Sequence, residues 1–130
     1  MADRSTGHAV GSPRRILIVD DDADVAWTLS YVLSELGHVI ETAIDARSAL
    51  DAAVRFSPDV VVLDIDLPGI DGYELATRLR QLGHPPTTLR FVAVTGLSQD
   101  YYRRRSVDAG FAAHLVKPVR IDQLAAAVRL

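Results

Sequence analysis

Ile16-Leu17-Ile18-Val19, running straight into Asp20-Asp21-Asp22, is the stretch on which the fold turns. Four aliphatic residues in an unbroken row describe a short strand covered on both faces, because a strand with one wet face alternates apolar and polar residues. Strands of that kind sit inside parallel sheets. The row ends on carboxylates, which cannot follow it into an apolar interior, so the strand stops at Val19 and its end faces a charged site or solvent.

The same pattern recurs downstream. Val60-Val61-Val62-Leu63 is a second apolar row and runs into Asp64; Phe91-Val92-Ala93-Val94 is a third, closed by Thr95-Gly96. Leu115-Val116 makes a short last strand before Lys117-Pro118, while Val39 to Ala43 mixes apolar and polar residues, as an edge strand does. Helical spacing fills the intervals. Val25, Leu29, Val32, Leu33 and Leu36 form one stripe, with Gly37 as the stop. Ala46 to Phe56 forms the next, with Leu50, Ala53 and Val54 on one face and Pro58 just beyond. Leu75, Leu79 and Leu82 follow the Pro68-Gly69 turn and end at Gly83; Ser98 to Ala109 is stopped by Gly110; Ile121 to Leu130 closes the chain. Five strands alternating with five helices predict an α/β fold, a single doubly wound (βα)5 domain with a parallel sheet covered on both sides.

Composition agrees with one packed domain. The chain has 130 residues, 48% of them hydrophobic and 24% charged, which excludes a disordered chain. The net charge of −3 argues against direct nucleic-acid binding, and the absence of cysteine excludes disulfides, thiolate metal sites and cysteine catalysis. No apolar run reaches the ~18 residues of a membrane span. Residues 1–14 lack the apolar stretch of a signal peptide and read as a flexible leader or cloning remnant, leaving 15–130 as the domain of a cytoplasmic protein.

Helical crossovers bring every strand's C-terminus to one end of such a sheet, and ligands bind there. Asp20, Asp21 and Asp22 follow the first strand, Asp64 and Asp66 the third, Thr95 the fourth and Lys117 the fifth. Topology therefore gathers a carboxylate cluster, one hydroxyl and one ammonium on one rim. At ~4 Å and an effective dielectric near 20, each carboxylate pair costs on the order of 4 kcal/mol, so a proton or a cation belongs there. Mg²⁺ suits the donor set, since it takes one or two carboxylates and fills its shell with water and phosphate oxygens. With the hydroxyl and the lysine to hold further oxygens, the set is built for phosphoryl transfer to a carboxylate.

The row from Ile16 to Asp22, then Val62-Leu63-Asp64-Ile65-Asp66-Leu67-Pro68-Gly69-Ile70-Asp71-Gly72, then Val94-Thr95-Gly96, then Leu115-Val116-Lys117-Pro118 resembles the receiver domain of bacterial response regulators. The resemblance runs from about Arg15 to Leu130. It implies a flavodoxin-like sheet of order 2-1-3-4-5 and a place in a two-component phosphorelay, with Asp64 as phosphoacceptor. By the same resemblance Asp21 and Asp64 hold Mg²⁺ through side chains, Asp66 through its backbone carbonyl and Asp20 mainly through water. Thr95 and Lys117 bind the phosphoryl group, Ile65 and Gly96 offer it backbone N–H groups, and the bond to Pro118 is cis. Thr95 and His114 fall on switch positions, where His114 replaces the usual Tyr or Phe. Asp66 and Leu97 occupy positions that tune dephosphorylation. The implied partners are a sensor histidine kinase or histidine phosphotransfer protein and a downstream protein that reads the 98–130 face, with neither nucleic acid nor membrane bound directly.

Plainer readings apply elsewhere. Asp22 and Asp24 read as charges at a helix start. Arg103, Arg104 and Arg105 read as a solvated helix face, His8, His38 and His84 as surface residues, and Trp27 with Tyr31 as packing. A calcium loop from Asp20 fails, because Val25 stands where Gly is required and Tyr31 where Glu is required. Two other functions compete. Asp64-Ile65-Asp66 also resembles the nucleophile motif of haloacid-dehalogenase-type phosphatases, which need a cap and a later acidic site; the other rival is a receiver that binds partners without being phosphorylated. A flavin carrier is disfavoured, since Asp20-Asp21-Asp22 repels the phosphate its first loop must cradle.

Overall fold

The computed structural model describes residues 12–82, 89–96 and 100–130. Ten elements alternate: β1 Arg15–Val19, α1 Ala23–Glu35, β2 Val39–Ala43, α2 Ala46–Phe56, β3 Val60–Asp64, α3 Gly72–Gln81, β4 Arg90–Thr95, α4 Asp100–Asp108, β5 Ala113–Val116 and α5 Ile121–Ala127. The strands form one parallel sheet in the order β2-β1-β3-β4-β5. The mixed strand β2 lies at an edge, and β1, β3 and β4 lie inside, as their unbroken apolar rows require.

Successive side chains of a strand point to opposite faces, so each row feeds two cores. Leu17, Val19, Val61, Leu63, Phe91 and Ala93 pack with α2 and α3 on one side. Ile16, Ile18, Val60, Val62, Val92 and Val94 pack with α1 and α5 on the other. The register sets Asp64 beside Val94 and Thr95 beside Val116, so Asp64, Thr95 and the Lys117 that follows β5 emerge at the same end of neighbouring strands.

Helix boundaries follow local chemistry. The Asp22 carboxylate accepts from the N–H groups of Asp24 and Val25 and caps α1; Asp45 and Ser48 form a capping box on α2; Asp71 caps α3 through the Tyr73 N–H. Gly37 and Gly110, at φ +98° and +78°, take the left-handed conformation just past α1 and α4.

Several expectations need correction. The buried face of α2 is Ala49, Ala52 and Phe56, small residues that let the helix sit close to the sheet; Leu50 and Ala53 flank it and Val54 is 66% exposed. Leu36 is the cap residue of α1, exposed rather than packed, and α5 ends at Ala127 with Val128 buried as its cap. His38 is buried, not on the surface: its Nδ1 accepts the Arg14 N–H at 2.9 Å, a contact that couples β1's entry to the α1–β2 turn. Trp27 and Tyr31 do pack, but on each other: their rings stack at 5.5 Å while both stay exposed on α1. The expected stop at Gly83, the start at Ser98, the leader's residues 1–11 with His8, and His84 and Leu97 lie outside the described residues.

Candidate functional site

The ends of β1, β3, β4 and β5 deliver polar groups to the rim. Asp20 follows β1 and is buried, with Oδ1 accepting the Asp22 N–H at 2.9 Å. Asp64 ends β3 and is buried too, with Oδ1 accepting the Asp66 N–H at 2.8 Å. Lys117 follows β5, where its own N–H donates to the Thr95 carbonyl at 2.8 Å, and its peptide bond to Pro118 is cis. The Lys117 ammonium then bridges the first and third strands, standing 3.2 Å from Asp20 Oδ2 and 3.2 Å from Asp64 Oδ2. Asp21 adds an exposed carboxylate, and one oxygen each from Asp20, Asp21 and Asp64 lie within 4.8 Å of one another.

The charges are out of balance. Burial raises the Asp64 carboxyl above its ordinary range and the Asp20 charge adds to this; the Asp66 N–H and the Lys117 ammonium offset part of it. Burial alone would lower the Lys117 ammonium, but Asp64 and Asp20 outweigh it and hold the lysine firmly protonated. Three carboxylates against one ammonium leave a negative pocket that a divalent cation fits by charge and by donor type.

On the β4 side of Asp64 the arrangement differs. Asp66 is exposed, and its Oδ2 accepts the Thr95 hydroxyl at 2.7 Å and the Gly96 N–H at 3.2 Å. The Ile65 N–H donates to the Val94 carbonyl at 3.1 Å, extending the sheet, so the donor role expected of Ile65 does not fit; the N–H that reaches Asp64 is that of Asp66.

Comparison with known proteins bears on this rim. Residues 16–129 match the family model of the response regulator receiver domain. The chain belongs to that family. Over 130 residues this receiver domain is 38% identical to the transcriptional regulatory protein TcrA of Mycobacterium tuberculosis, covering 98% of the chain and 50% of the relative. To the transcriptional regulatory protein PdtaR of the same species it is 33% identical over 131 residues, covering 100% of the chain and 62% of the relative. The chain thus spans about half to three-fifths of these relatives' lengths. Among solved structures, the chemotaxis protein CheY4 of Vibrio cholerae superposes with a TM-score of 0.81 at 25% identity, over 91% of this chain and 98% of that one. A CheY-like receiver domain protein of Methanospirillum hungatei superposes at 0.78 with 29% identity, over 91% and 92%. No helix among the described residues is long and apolar enough to cross a membrane.

The side of the receiver formed by α3, α4 and β5 contains contacts that sequence reasoning missed. The Tyr73 hydroxyl donates to the Tyr102 carbonyl at 3.1 Å and lies 2.8 Å from Ser106 Oγ, which lies 2.7 Å from His114 Nδ1. With the tyrosine proton given to Tyr102, Ser106 donates to Tyr73 and His114 Nδ1 donates to Ser106. His114 on β5 is thereby tied through α4 to α3. Arg105 adds a second tie: its guanidinium lies 2.9 Å from Asp71 Oδ2 and 4.3 Å above the Tyr73 ring. One arginine of the run is therefore an α3–α4 clamp, while Arg103 and Arg104 are exposed as expected. Tyr73, Ser106 and Arg105 carry no local sequence signal for the α3–α4 ties, since Tyr73–Ser106 and Asp71–Arg105 join residues 33 and 34 positions apart.

Proposed function

We propose that this receiver takes a phosphoryl group on Asp64 from the phosphohistidine of a sensor histidine kinase or histidine phosphotransfer protein, and that the change alters binding of a downstream protein. The observation that carries the reading is the Lys117 ammonium held 3.2 Å from both Asp20 and Asp64, inside a cluster of carboxylates it does not neutralise. Bound Mg²⁺ would supply positive charge against the phosphoryl oxygens; Asp21 and Asp64 would hold it through carboxylates, Asp66 through its carbonyl and Asp20 mainly through water.

In the transfer, an Asp64 carboxylate oxygen forms the new O–P bond as the donor's N–P bond breaks, and the donor imidazole leaves with the electron pair. Lys117 stands against the charge gained by the phosphoryl oxygens, and among the described residues the Thr95 hydroxyl and the Gly96 and Asp66 N–H groups are donors available to them. A Thr95 drawn toward the phosphoryl group pulls on β4 next to β5, and the His114–Ser106–Tyr73 chain passes that shift to α4. The receiver samples two conformations, and phosphorylation moves their populations. The readout surface is the face of α4, β5 and α5 within residues 98–130. The chain acts as a cytoplasmic signalling domain rather than a turnover enzyme, and any nucleic-acid contact belongs to other parts of a longer regulator or to its partner.

Exposure to acetyl phosphate with Mg²⁺, followed by intact-mass measurement, tests this. One added phosphoryl group, lost in Asp64→Asn, is the expected result. A folded wild type that stays unmodified would leave an interaction module that works without phosphorylation, and rapid turnover of p-nitrophenyl phosphate would indicate a phosphatase.

A further inference from the structure

Among the described residues, the Thr95 hydroxyl and the Gly96 N–H are donors on the β4 side of the rim, and both point at the same oxygen, Asp66 Oδ2, at 2.7 and 3.2 Å. A carboxylate oxygen held by a hydroxyl and a backbone N–H is chemically what a phosphoryl oxygen would be in that place. Asp66 is exposed and its N–H is anchored on Asp64 at 2.8 Å, so its side chain can rotate out to water while its backbone stays fixed. Thr95 is fully buried and cannot move away from it as easily.

We propose that the Asp66 carboxylate is a built-in competitor for the phosphoryl group, occupying the Thr95 and Gly96 donors until it is displaced. This rests on Asp64 being the phosphoacceptor and adds a device that governs how readily the site is filled. A hydroxyl has one proton to give, so Thr95 cannot serve Asp66 and a phosphoryl oxygen with equal strength at once. Apparent affinity for a phosphoryl group is then reduced by the fraction of molecules in which Asp66 is swung away. Removing the competitor strengthens binding; removing its donor makes the competitor irrelevant.

Beryllium fluoride, which mimics a phosphoryl group on a carboxylate, is the probe, titrated at saturating Mg²⁺ so that the lost Asp66 charge does not act through the metal. Asp66→Ala, which leaves no acceptor for the two donors, is expected to tighten its binding about tenfold in the otherwise native protein. With Thr95→Val present, the same substitution should gain no more than about threefold, because the two residues act as one unit. Equal gains in both backgrounds would reduce the effect to charge repulsion and overturn the proposal, as would no gain at all. The Gly96 amide proton gives an independent reading: it should shift in Asp66→Ala before any ligand is added, and an unchanged resonance would also overturn the proposal. If the wild type binds no beryllium fluoride while the Gly96 amide still responds to Asp66→Ala, the phosphoacceptor reading falls and the contact is reduced to a structural hydrogen bond.

Discussion

At the strands' N-terminal ends, Arg15 donates through its backbone to Asp59 at 2.8 Å, through its guanidinium to the Phe56 carbonyl at 2.9 and 2.7 Å, and lies 4.2 Å above the Phe56 ring. Nearby, His38 Nδ1 takes the Arg14 N–H, and the Arg14 guanidinium reaches the Arg129 carbonyl at 3.3 Å. At the C-terminal ends, 3.2 Å contacts let one ammonium serve two buried carboxylates, with a third carboxylate beside them. The base pairs Arg14 and Arg15 with carboxylate, carbonyl and ring acceptors, leaves His38 Nε2 buried without a partner among the described residues, and tethers α2 and α5 to the sheet. The rim gathers three carboxylates that one ammonium does not neutralise, and the fold holds them there through the rigidity of three interior strands. Stability resides at one end of the sheet and chemistry at the other.

Substitutions should therefore differ in sign between the two ends unless they disturb the rim's framework. The largest effect is expected from that framework. A Cβ on Gly72 would stand 2.5 Å from the Ile65 Cα, a side-chain carbon against backbone that cannot swing aside, so the loop after Asp64 could not keep its path. Gly72→Ala should cost about 3 kcal/mol by chemical denaturation, near the upper end for overpacking. At the base, Arg15→Ala removes the bonds to Phe56 and the contact with its ring, and should cost about 1–2 kcal/mol. At the rim, the sign reverses. Asp64→Asn removes a carboxylate whose ionised form the fold disfavours, so without divalent ions the variant should melt a few degrees above wild type at neutral pH. Because the folded carboxyl is raised, that gap should be full above its folded value and should close as pH falls through it.

The smallest expected effect concerns His38. Burial, and then the charges of Arg129 and Arg14, hold its imidazole below its ordinary value of 6.5. Above 6.5 the ring is neutral whether folded or unfolded; below it the unfolded chain gains a proton the fold resists. Stability should therefore decline as pH drops below that point and level off once the folded ring also protonates. His38→Asn, whose amide oxygen can take the Arg14 N–H, should flatten this part of the profile in pH-dependent thermal melts. An unchanged slope would assign it to other groups.

The strand ends were legible because Asp20, Asp64, Thr95 and Lys117 each interrupt an apolar row, and a parallel sheet brings such interruptions together. The family resemblance supplied the sheet order, and the one mixed strand, Val39 to Ala43, agreed with it by belonging at an edge. What the sequence hid was where side chains turn once they arrive. Whether Asp66 points at a metal or at Thr95 depends on β4, twenty-nine positions on. Three consecutive arginines look alike, yet helical phase puts Arg105 over Tyr73 and leaves its neighbours in water. His38 lies in a short turn with no apolar pattern to announce burial, and its cover comes from both ends of the domain. Periodicity reports which face of an element is apolar; it carries no information on pairings between elements.

The charge deficit at the rim is the claim on which the rest depends, and Mg²⁺ added to the whole chain tests it most directly. A ligand that binds the folded state alone raises the melting temperature in step with its concentration. The wild type should gain stability as millimolar Mg²⁺ is added, and Asp64→Asn, relieved of the key carboxylate, should gain far less. Equal responses from both proteins, or none from the wild type, would contradict the account.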